Sequence, residues 1–221
     1  MLLAQDIYSK TLYPFQDQIL QEITNLETGF YLTGGTAASR GYLQHRYSDD
    51  LDFFVNDSPE FNLWLDRVVQ HLLSLDLGEI QITSRHDRFA NLLLNTGAVL
   101  LKLEFINDVP SHIGRISVHP VFGRLDSAEN ILANKVTALL GRNEPKDLAD
   151  VWGFCCRLGL PLEQAITDAH SKAAGIFHAD LARVLLSASE EDWRAIRWIK
   201  APDSEEFLNG LHQLGQKLLF A

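Results

Sequence analysis

Two acidic residues able to bind metal ions lie two positions apart in an apolar run of the sequence. Asp50 and Asp52 alternate with Leu51 and Phe53. Because successive side chains of a strand point to opposite faces, the carboxylates are predicted to share one face and the apolar side chains the other. Paired carboxylates supply the oxygen ligands that hard divalent ions prefer. The pattern indicates either a metal site or the solvated face of an edge strand.

A glycine turn, formed by Gly34, Gly35 and Thr36, precedes these carboxylates in the sequence. It follows the apolar run 30–33, which is typical of a short buried strand. A helix capped by Thr36 and ending at Leu43 is predicted to come next. A turn without Cβ atoms lets backbone N–H groups approach a polyphosphate closely, and the Thr36 hydroxyl can donate to a phosphate oxygen. The alternative interpretation is a tight turn without a ligand.

The order of these two groups is more specific than either group alone. Residues 32–36 read Leu-Thr-Gly-Gly-Thr, and residues 45–54 read His-Arg-Tyr-Ser-Asp-Asp-Leu-Asp-Phe-Phe. This order resembles the nucleotidyltransferases of the DNA polymerase β-like superfamily, and within it the AbiEii toxin family of abortive-infection and toxin–antitoxin systems. The resemblance implies that Asp50 and Asp52 hold two Mg²⁺ ions and that the glycine turn binds the phosphates of an NTP.

Three short runs with alternating apolar residues, 79–84, 88–94 and 99–106, predict consecutive strands of a meander. On the third strand Lys102 and Glu104 share one face. The resemblance implies a third catalytic, metal-binding carboxylate on a strand beside the first two. Glu104 occupies that place, where the family more often has aspartate. The alternative is a solvated strand face on which Glu104 merely neighbours Lys102.

Two helices that follow carry further charged residues. The predicted helix 128–140 contains Lys135 and is followed by an arginine, and the next helix opens with Lys-Asp-x-x-Asp at 146–150. These runs resemble later motifs of the same family. The resemblance implies that Lys135 and Lys146 bind the nucleotide by neutralising the leaving pyrophosphate, and that Asp147 orients a cation or the acceptor. Lys146 stands where arginine is more usual, and a solvated helix face would also explain each residue.

The order of predicted elements indicates an α+β fold, in which a small mixed β-sheet nucleotidyltransferase core has flanking helices and a helical C-terminal region. Residues 1–125 are assigned to the core. Residues 126–221 are assigned to the helical region, which is expected to complete the nucleotide cleft.

Composition narrows the class of protein. The chain has 221 residues and a formal net charge of −10, which opposes non-specific binding to nucleic acid but leaves a local basic cleft possible. Cys155 and Cys156 are adjacent in an apolar helical pattern, so both are predicted to pack in the core of a protein from a reducing compartment. The sequence shows no long apolar run and no signal-peptide pattern, and a cytoplasmic protein with no membrane contact is expected.

The predicted activity is Mg²⁺-dependent transfer of a nucleoside monophosphate from an NTP to RNA such as tRNA, to a protein or to a small molecule. The resemblance also implies a toxin with a separate cognate antitoxin protein. Two other classes remain open. One is an NTP-binding module without turnover, which would lack a competent third carboxylate. The other is a transferase of the aminoglycoside-modifying kind, and the net charge of −10 slightly favours such a cationic acceptor over RNA.

Overall fold

The computed structural model describes residues 4–142 and 144–220. These residues form two compact units. The first, which we call the sheet unit, runs up to Ala37 and resumes from Ser48 to Asp126. The second, the helical unit, contains Ala38–Tyr47 and the described residues from Ser127 onward. The predicted division into 1–125 and 126–221 kept residues 38–47 with the core.

The sheet unit contains a seven-stranded mixed sheet, which confirms the predicted α+β class. Its strand order is β3-β4-β5-β2-β1-β7-β6. Strand β2 is antiparallel to β1 and parallel to β5, so it is a central strand and not an edge strand. The predicted meander is present as β3, β4 and β5, whereas the three-residue strand β7 was not predicted. The strands are β1 Tyr31–Thr33, β2 Leu51–Asn56, β3 Glu79–His86, β4 Phe89–Asn95, β5 Leu100–Asp108, β6 Ser117–His119 and β7 Gly123–Leu125.

Helices and aromatic residues complete the sheet unit. Phe30 packs edge-on against Phe61 and Phe105, and Phe53 stacks on Phe105 with ring centroids 5.2 Å apart. These rings form much of the apolar core that fixes β2 beside β5. The helical segments are α1 Ala4–Ile7, a π-helical segment Tyr8–Leu12, α2 Tyr13–Thr24, α3 Gly34–Thr36 and α4 Phe61–Ser74.

The helical unit is built around the mutually contacting rings of Trp152, Trp198 and Phe207. Its first long helix is capped by Ser127, whose side chain accepts from the Asn130 N–H. The helical segments are the π-helical Ala37–Leu43, α5 Ala128–Gly141, α6 Pro145–Trp152, the π-helical Gly153–Arg157, α7 Leu162–His170, α8 His178–Leu186, α9 Glu190–Ala195 and α10 Ser204–Leu219.

One core prediction was wrong. Both cysteines are free, but Cys155 is only half-buried and Cys156 is exposed. Consecutive residues of a helical segment point in different directions, so the core takes up at most one of them. Burial raises the pKa of the Cys155 thiol to about 12. Within the described residues, no helix has both the length and the apolar character needed to cross a membrane.

Candidate active site

The glycine turn lies directly against the carboxylate of Asp52. Gly34 has a φ of +65°, a conformation that favours glycine. A Cβ atom at this position would stand 2.0 Å from Asp52 Oδ2, and the Gly35 N–H donates to the same oxygen at 3.3 Å. Three residues that the sequence singled out therefore meet at one point, and a side chain at position 34 has no room there.

Thr36 differs from its predicted role. The helix begins at Gly34, with Thr33 as its N-cap residue, so Thr36 is not the cap. The Thr36 side chain is buried, and its hydroxyl donates to the backbone carbonyl of Asp50 at 2.5 Å. The hydroxyl thus ties the glycine turn to the chain just before β2 instead of facing a phosphate oxygen.

A row of polar side chains crosses the sheet beside the turn. Asp52 is paired in register with Glu104 on β5, and Glu104 is paired with Asn91 on β4. Directly paired residues have their side chains on the same face of a sheet. Along β2 the half-buried Asp52 alternates with buried apolar residues, as predicted, whereas Asp50 precedes the strand and does not share its face. Asp52 and Glu104 are therefore neighbours on one face.

The far end of this row shows two features that bear on Glu104. Its Oε1 lies 3.4 Å from Lys102 Nζ, an ion pair between two half-buried side chains. The buried Oδ1 of Asn91 has no hydrogen-bond partner. Sequence reasoning missed Asn91, because its place beside Glu104 depends on strand register, and the type of one strand residue does not reveal that register.

The carboxylates fit a magnesium ion that takes some of its ligands from the protein and the others from a substrate. Within the described ranges, no three His, Cys, Asp or Glu side chains are close enough together to hold one metal ion. Mg²⁺ commonly takes one or two protein carboxylates and completes its shell with substrate phosphates and water. Asp52 together with Asp50 or Glu104 would supply such hard oxygen donors. The donor set therefore suits an open site better than a closed protein cage.

A fully buried carboxylate, that of Asp126, contacts the residue that precedes the glycine turn. Asp126 is fully buried, and its Oδ2 accepts from the Thr33 hydroxyl at 2.5 Å. Its Oδ1 lies 2.9 Å from Nε2 of His112, which the sequence analysis did not select. Because Thr33 immediately precedes Gly34, this network fixes the end of β1 where the turn begins. Thr33 lies far from His112 and Asp126 in the sequence, so no sequence motif predicts this network.

In the helical unit, Lys135 sits in a buried ion cluster. Its Nζ lies 2.7 Å from Asp147 Oδ1 and 2.7 Å from Asp150 Oδ2. Both carboxylates are fully buried, and Lys135 is 5% exposed. The structure thus brings together Lys135 and Asp147, two of the residues that the sequence singled out. In this structure the lysine side chain is buried and paired with two carboxylates.

The same ion cluster includes His45 and Arg46, which sequence reasoning missed, and Arg142, the arginine that follows the Lys135 helix. Arg46 donates to both oxygens of Asp150, each at 2.8 Å, and His45 Nε2 lies 3.1 Å from Asp150 Oδ1. Arg142 donates to Asp147 from the partly exposed side, at 2.9 Å. The signal for His45 and Arg46 was present, since both lie in the segment quoted for the family, but no role followed from their spacing.

The charges of the ion cluster stabilise one another. Burial opposes ionisation of Asp150, but the Arg46 and Lys135 charges outweigh it and hold the pKa of that carboxyl well below its usual range. The pKa of Asp147 is lowered for the same reason by Lys135 and Arg142, against its own burial. Burial alone would lower the pKa of Lys135, yet the two carboxylates raise it. Desolvation lowers the pKa of His45, which favours the neutral ring.

Lys146 stands outside the ion cluster. Its side chain is 47% exposed, and its Nζ lies 2.7 Å from Glu144 Oε2. It lines an open pocket of about 300 Å³ within the helical unit, which we call the basic pocket. The pocket is lined by Arg46, Tyr47, Glu144, Pro145, Lys146, Ala195, Ile196 and Arg197. The other predicted residues, apart from Lys135 and Asp147, belong to the sheet unit.

Comparison with known proteins identifies the family. JHP933 from Helicobacter pylori has a similar structure, with a TM-score of 0.66 and 21% identity over 99% of this chain and 93% of that one. MenT4, a nucleotidyltransferase toxin from Mycobacterium tuberculosis, is also similar, with a TM-score of 0.64 and 19% identity over 99% of this chain and 86% of that one. These likenesses show the fold, while no curated protein matches. A family model described as nucleotidyl transferase AbiEii toxin, type IV toxin–antitoxin system, matches residues 18–206. The chain therefore belongs to the AbiEii family of nucleotidyltransferase toxins.

Proposed function

We propose that the chain transfers a nucleoside monophosphate from an NTP to an acceptor hydroxyl or phosphate, either in RNA such as tRNA, in a protein or in a small molecule. The acceptor oxygen bonds to the α-phosphorus, the bond to the bridging oxygen breaks, and pyrophosphate leaves. The observation that carries this proposal is the contact between the glycine turn and Asp52. It places a carboxylate against backbone that can approach a triphosphate closely.

In this proposal, residues of the sheet unit bind the phosphates and the metal ions. The glycine turn cradles the phosphates, and Asp50 and Asp52 are the proposed ligands of Mg²⁺, with Glu104 as a third carboxylate and two ions expected. When bound, the metal offsets phosphate charge and lowers the pKa of the attacking hydroxyl. Thr36 and Asp126 hold the turn in place through Asp50 and Thr33.

The cations of the helical unit have separate parts in the proposal. Lys146 is exposed and can meet phosphate directly. Lys135 is engaged by Asp147 and Asp150, so it acts on a nucleotide through the position and field of the ion cluster. Family membership further supports a cognate antitoxin, which we propose to be a separate protein.

Labelling with each NTP carrying ³²P at its α-phosphate tests the proposal, with total tRNA or an aminoglycoside panel as acceptor. Asp50→Asn and Asp52→Asn should each lower transfer by at least about 10²-fold, because each removes a charge proposed to bind metal. Asp57→Asn is the matched control, since Asp57 pairs with Arg88 at an exposed position beyond β2. Full labelling by an Asp50→Asn, Asp52→Asn double variant would overturn the mechanism.

Binding without turnover is the second candidate function. It is favoured by the pairing of Glu104 with Lys102, which engages the proposed third carboxylate. Glu104→Gln separates the two functions. A transferase should lose labelling in this variant and retain NTP binding, whereas a sensing module should show binding and no labelling in the wild-type protein as well.

A further inference from the structure

The basic pocket differs in charge from the rest of the chain. Its lining contains the cations Arg46, Lys146 and Arg197 and the carboxylate of Glu144. Because Asp150 already neutralises Arg46, the excess is one positive charge, from Lys146 and Arg197 against Glu144. The whole chain, by contrast, carries a formal net charge of −10. A concave surface with an excess of positive charge attracts an anion even when the protein as a whole repels one. The expected occupant therefore carries phosphate or another anionic group.

The pocket is held together by contacts that do not depend on a ligand. Arg46 is fixed from behind by the buried carboxylate of Asp150. The Tyr47 N–H donates to the Arg197 carbonyl at 2.8 Å, and the Ile199 N–H donates to the His45 carbonyl at 2.9 Å. These hydrogen bonds form a short antiparallel ladder. Arg197 and Tyr47 are thus brought to one wall although they lie 150 positions apart in the sequence.

The remaining lining is apolar or aromatic. Tyr47, Pro145, Ala195 and Ile196 stand beside the charged side chains, and Ile196 is buried. Phosphate-binding cations next to an aromatic ring are the combination that holds single nucleotides, through charge and base stacking. The volume of about 300 Å³ lies at the small end of ligand pockets, so it suits one nucleotide and not a folded nucleic acid.

We propose that the basic pocket binds one nucleotide, with its phosphate at Lys146 and Arg197 and its base against the side of the pocket formed by Tyr47 and Pro145. The choice of a nucleotide among anions rests on the proposed function. Two sources share this chemistry: a free NTP and the terminal nucleotide of an RNA acceptor. This assigns a role to Arg197, whose exposed side chain lies just beyond the end of α9.

Equilibrium binding to the intact chain tests the pocket. The probes are each of the four NTPs with Mg²⁺ and, separately, a single-stranded RNA tetranucleotide. Lys146→Glu and Arg197→Glu should each weaken binding of one probe by about tenfold or more, because each replaces a charge-assisted contact with repulsion. Lys200→Glu is the matched control, because it also reverses an exposed charge but lies outside the lining, and it should stay within about twofold.

The binding results for the two probes show which ligand occupies the basic pocket. Weaker NTP binding identifies the substrate nucleotide as the occupant, and weaker binding of the tetranucleotide identifies the acceptor end. If both probes bind Lys146→Glu and Arg197→Glu as well as they bind Lys200→Glu, the pocket assignment is overturned while the proposed function stands. If the wild-type protein binds neither probe, the proposed function fails as well. Circular dichroism of the three variants verifies that each retains its helix content.

Discussion

Replacing Gly34 with alanine is the sharpest test of the contact between the glycine turn and Asp52. The new Cβ would stand 2.0 Å from Asp52 Oδ2, whereas ordinary contact begins at 3.4 Å, so one group must move by about 1.4 Å. Gly34 also has a φ of +65°, which costs a non-glycine residue roughly 1–2 kcal/mol. The substitution therefore combines backbone strain with displacement of a proposed metal ligand.

Gly97→Ala separates these two effects. Gly97 lies in the same unit with a φ of +81°, but a Cβ there meets nothing within 4 Å. Both variants should share the loss of roughly 1–2 kcal/mol in the free energy of unfolding. Gly34→Ala should lose a further 1–3 kcal/mol or so from overpacking. A displacement of more than 1 Å at the site should also lower transfer by about 10²-fold relative to Gly97→Ala.

Urea unfolding and α-phosphate labelling measure the two losses. In an Asp52→Gly background the carboxylate is gone, so the extra loss of unfolding free energy from Gly34→Ala should largely disappear. Equal unfolding free energies and equal labelling for Gly34→Ala and Gly97→Ala would refute the reasoning. That result would mean that Asp52 is not held against the turn.

Two further predictions concern the buried ion cluster. Asp150→Asn should lower the free energy of unfolding by about 3–5 kcal/mol, because Arg46 and Lys135 lose a buried counter-charge. Asp180→Asn, at an exposed ion pair, is the control and should lower it by less than about 1 kcal/mol in urea unfolding. A smaller loss for Asp150→Asn than for the control would contradict the role of the cluster. Stability should also depend on pH at both extremes. Because the pKa values of Asp147 and Asp150 are lowered, their contribution to the free energy of unfolding is complete above about pH 4 and is lost as pH falls through their pKa values in the folded protein. Because the pKa of Lys135 is raised, its contribution is complete below about pH 10 and is lost at higher pH. His45, with its lowered pKa, adds a loss that begins as pH falls below about 6.5. Urea unfolding midpoints measured across pH 3–11 or so would show this dependence of stability on pH. Asp150→Asn should reduce the loss of stability at acid pH. A wild-type protein that loses no stability at acid pH would contradict the role given to the buried carboxylates.

Local pattern was enough to predict most elements, whereas the link between the glycine turn and the two aspartates came from the resemblance to a family. Alternation located β2 and the β3–β5 meander, and helical spacing located α5 within one residue of its observed end. These signals work because each depends only on residues near one another in the sequence.

What could not be predicted depends on partners distant in sequence. The contacts of Asp126 with Thr33 and of Asp150 with Arg46 span 93 and 104 positions. The hydroxyl of Thr36 was assigned to phosphate because nothing in the sequence shows that the Asp50 carbonyl lies beside it. Asn91 was missed for the same reason, since strand register is set by the whole sheet.

The wide separation of Arg46 and Asp150 has a consequence for synthesis of the toxin. At about 5–20 residues per second, the ribosome needs roughly 5–20 s to add the 104 residues between the arginine and its carboxylate. During that interval the guanidinium must remain hydrated, so the segment carrying it cannot settle into its final buried place. A prematurely terminated chain that ends before Asp150 never acquires this counter-charge. Burial of Arg46 with its counter-charge is thereby postponed until Asp150 has been synthesised.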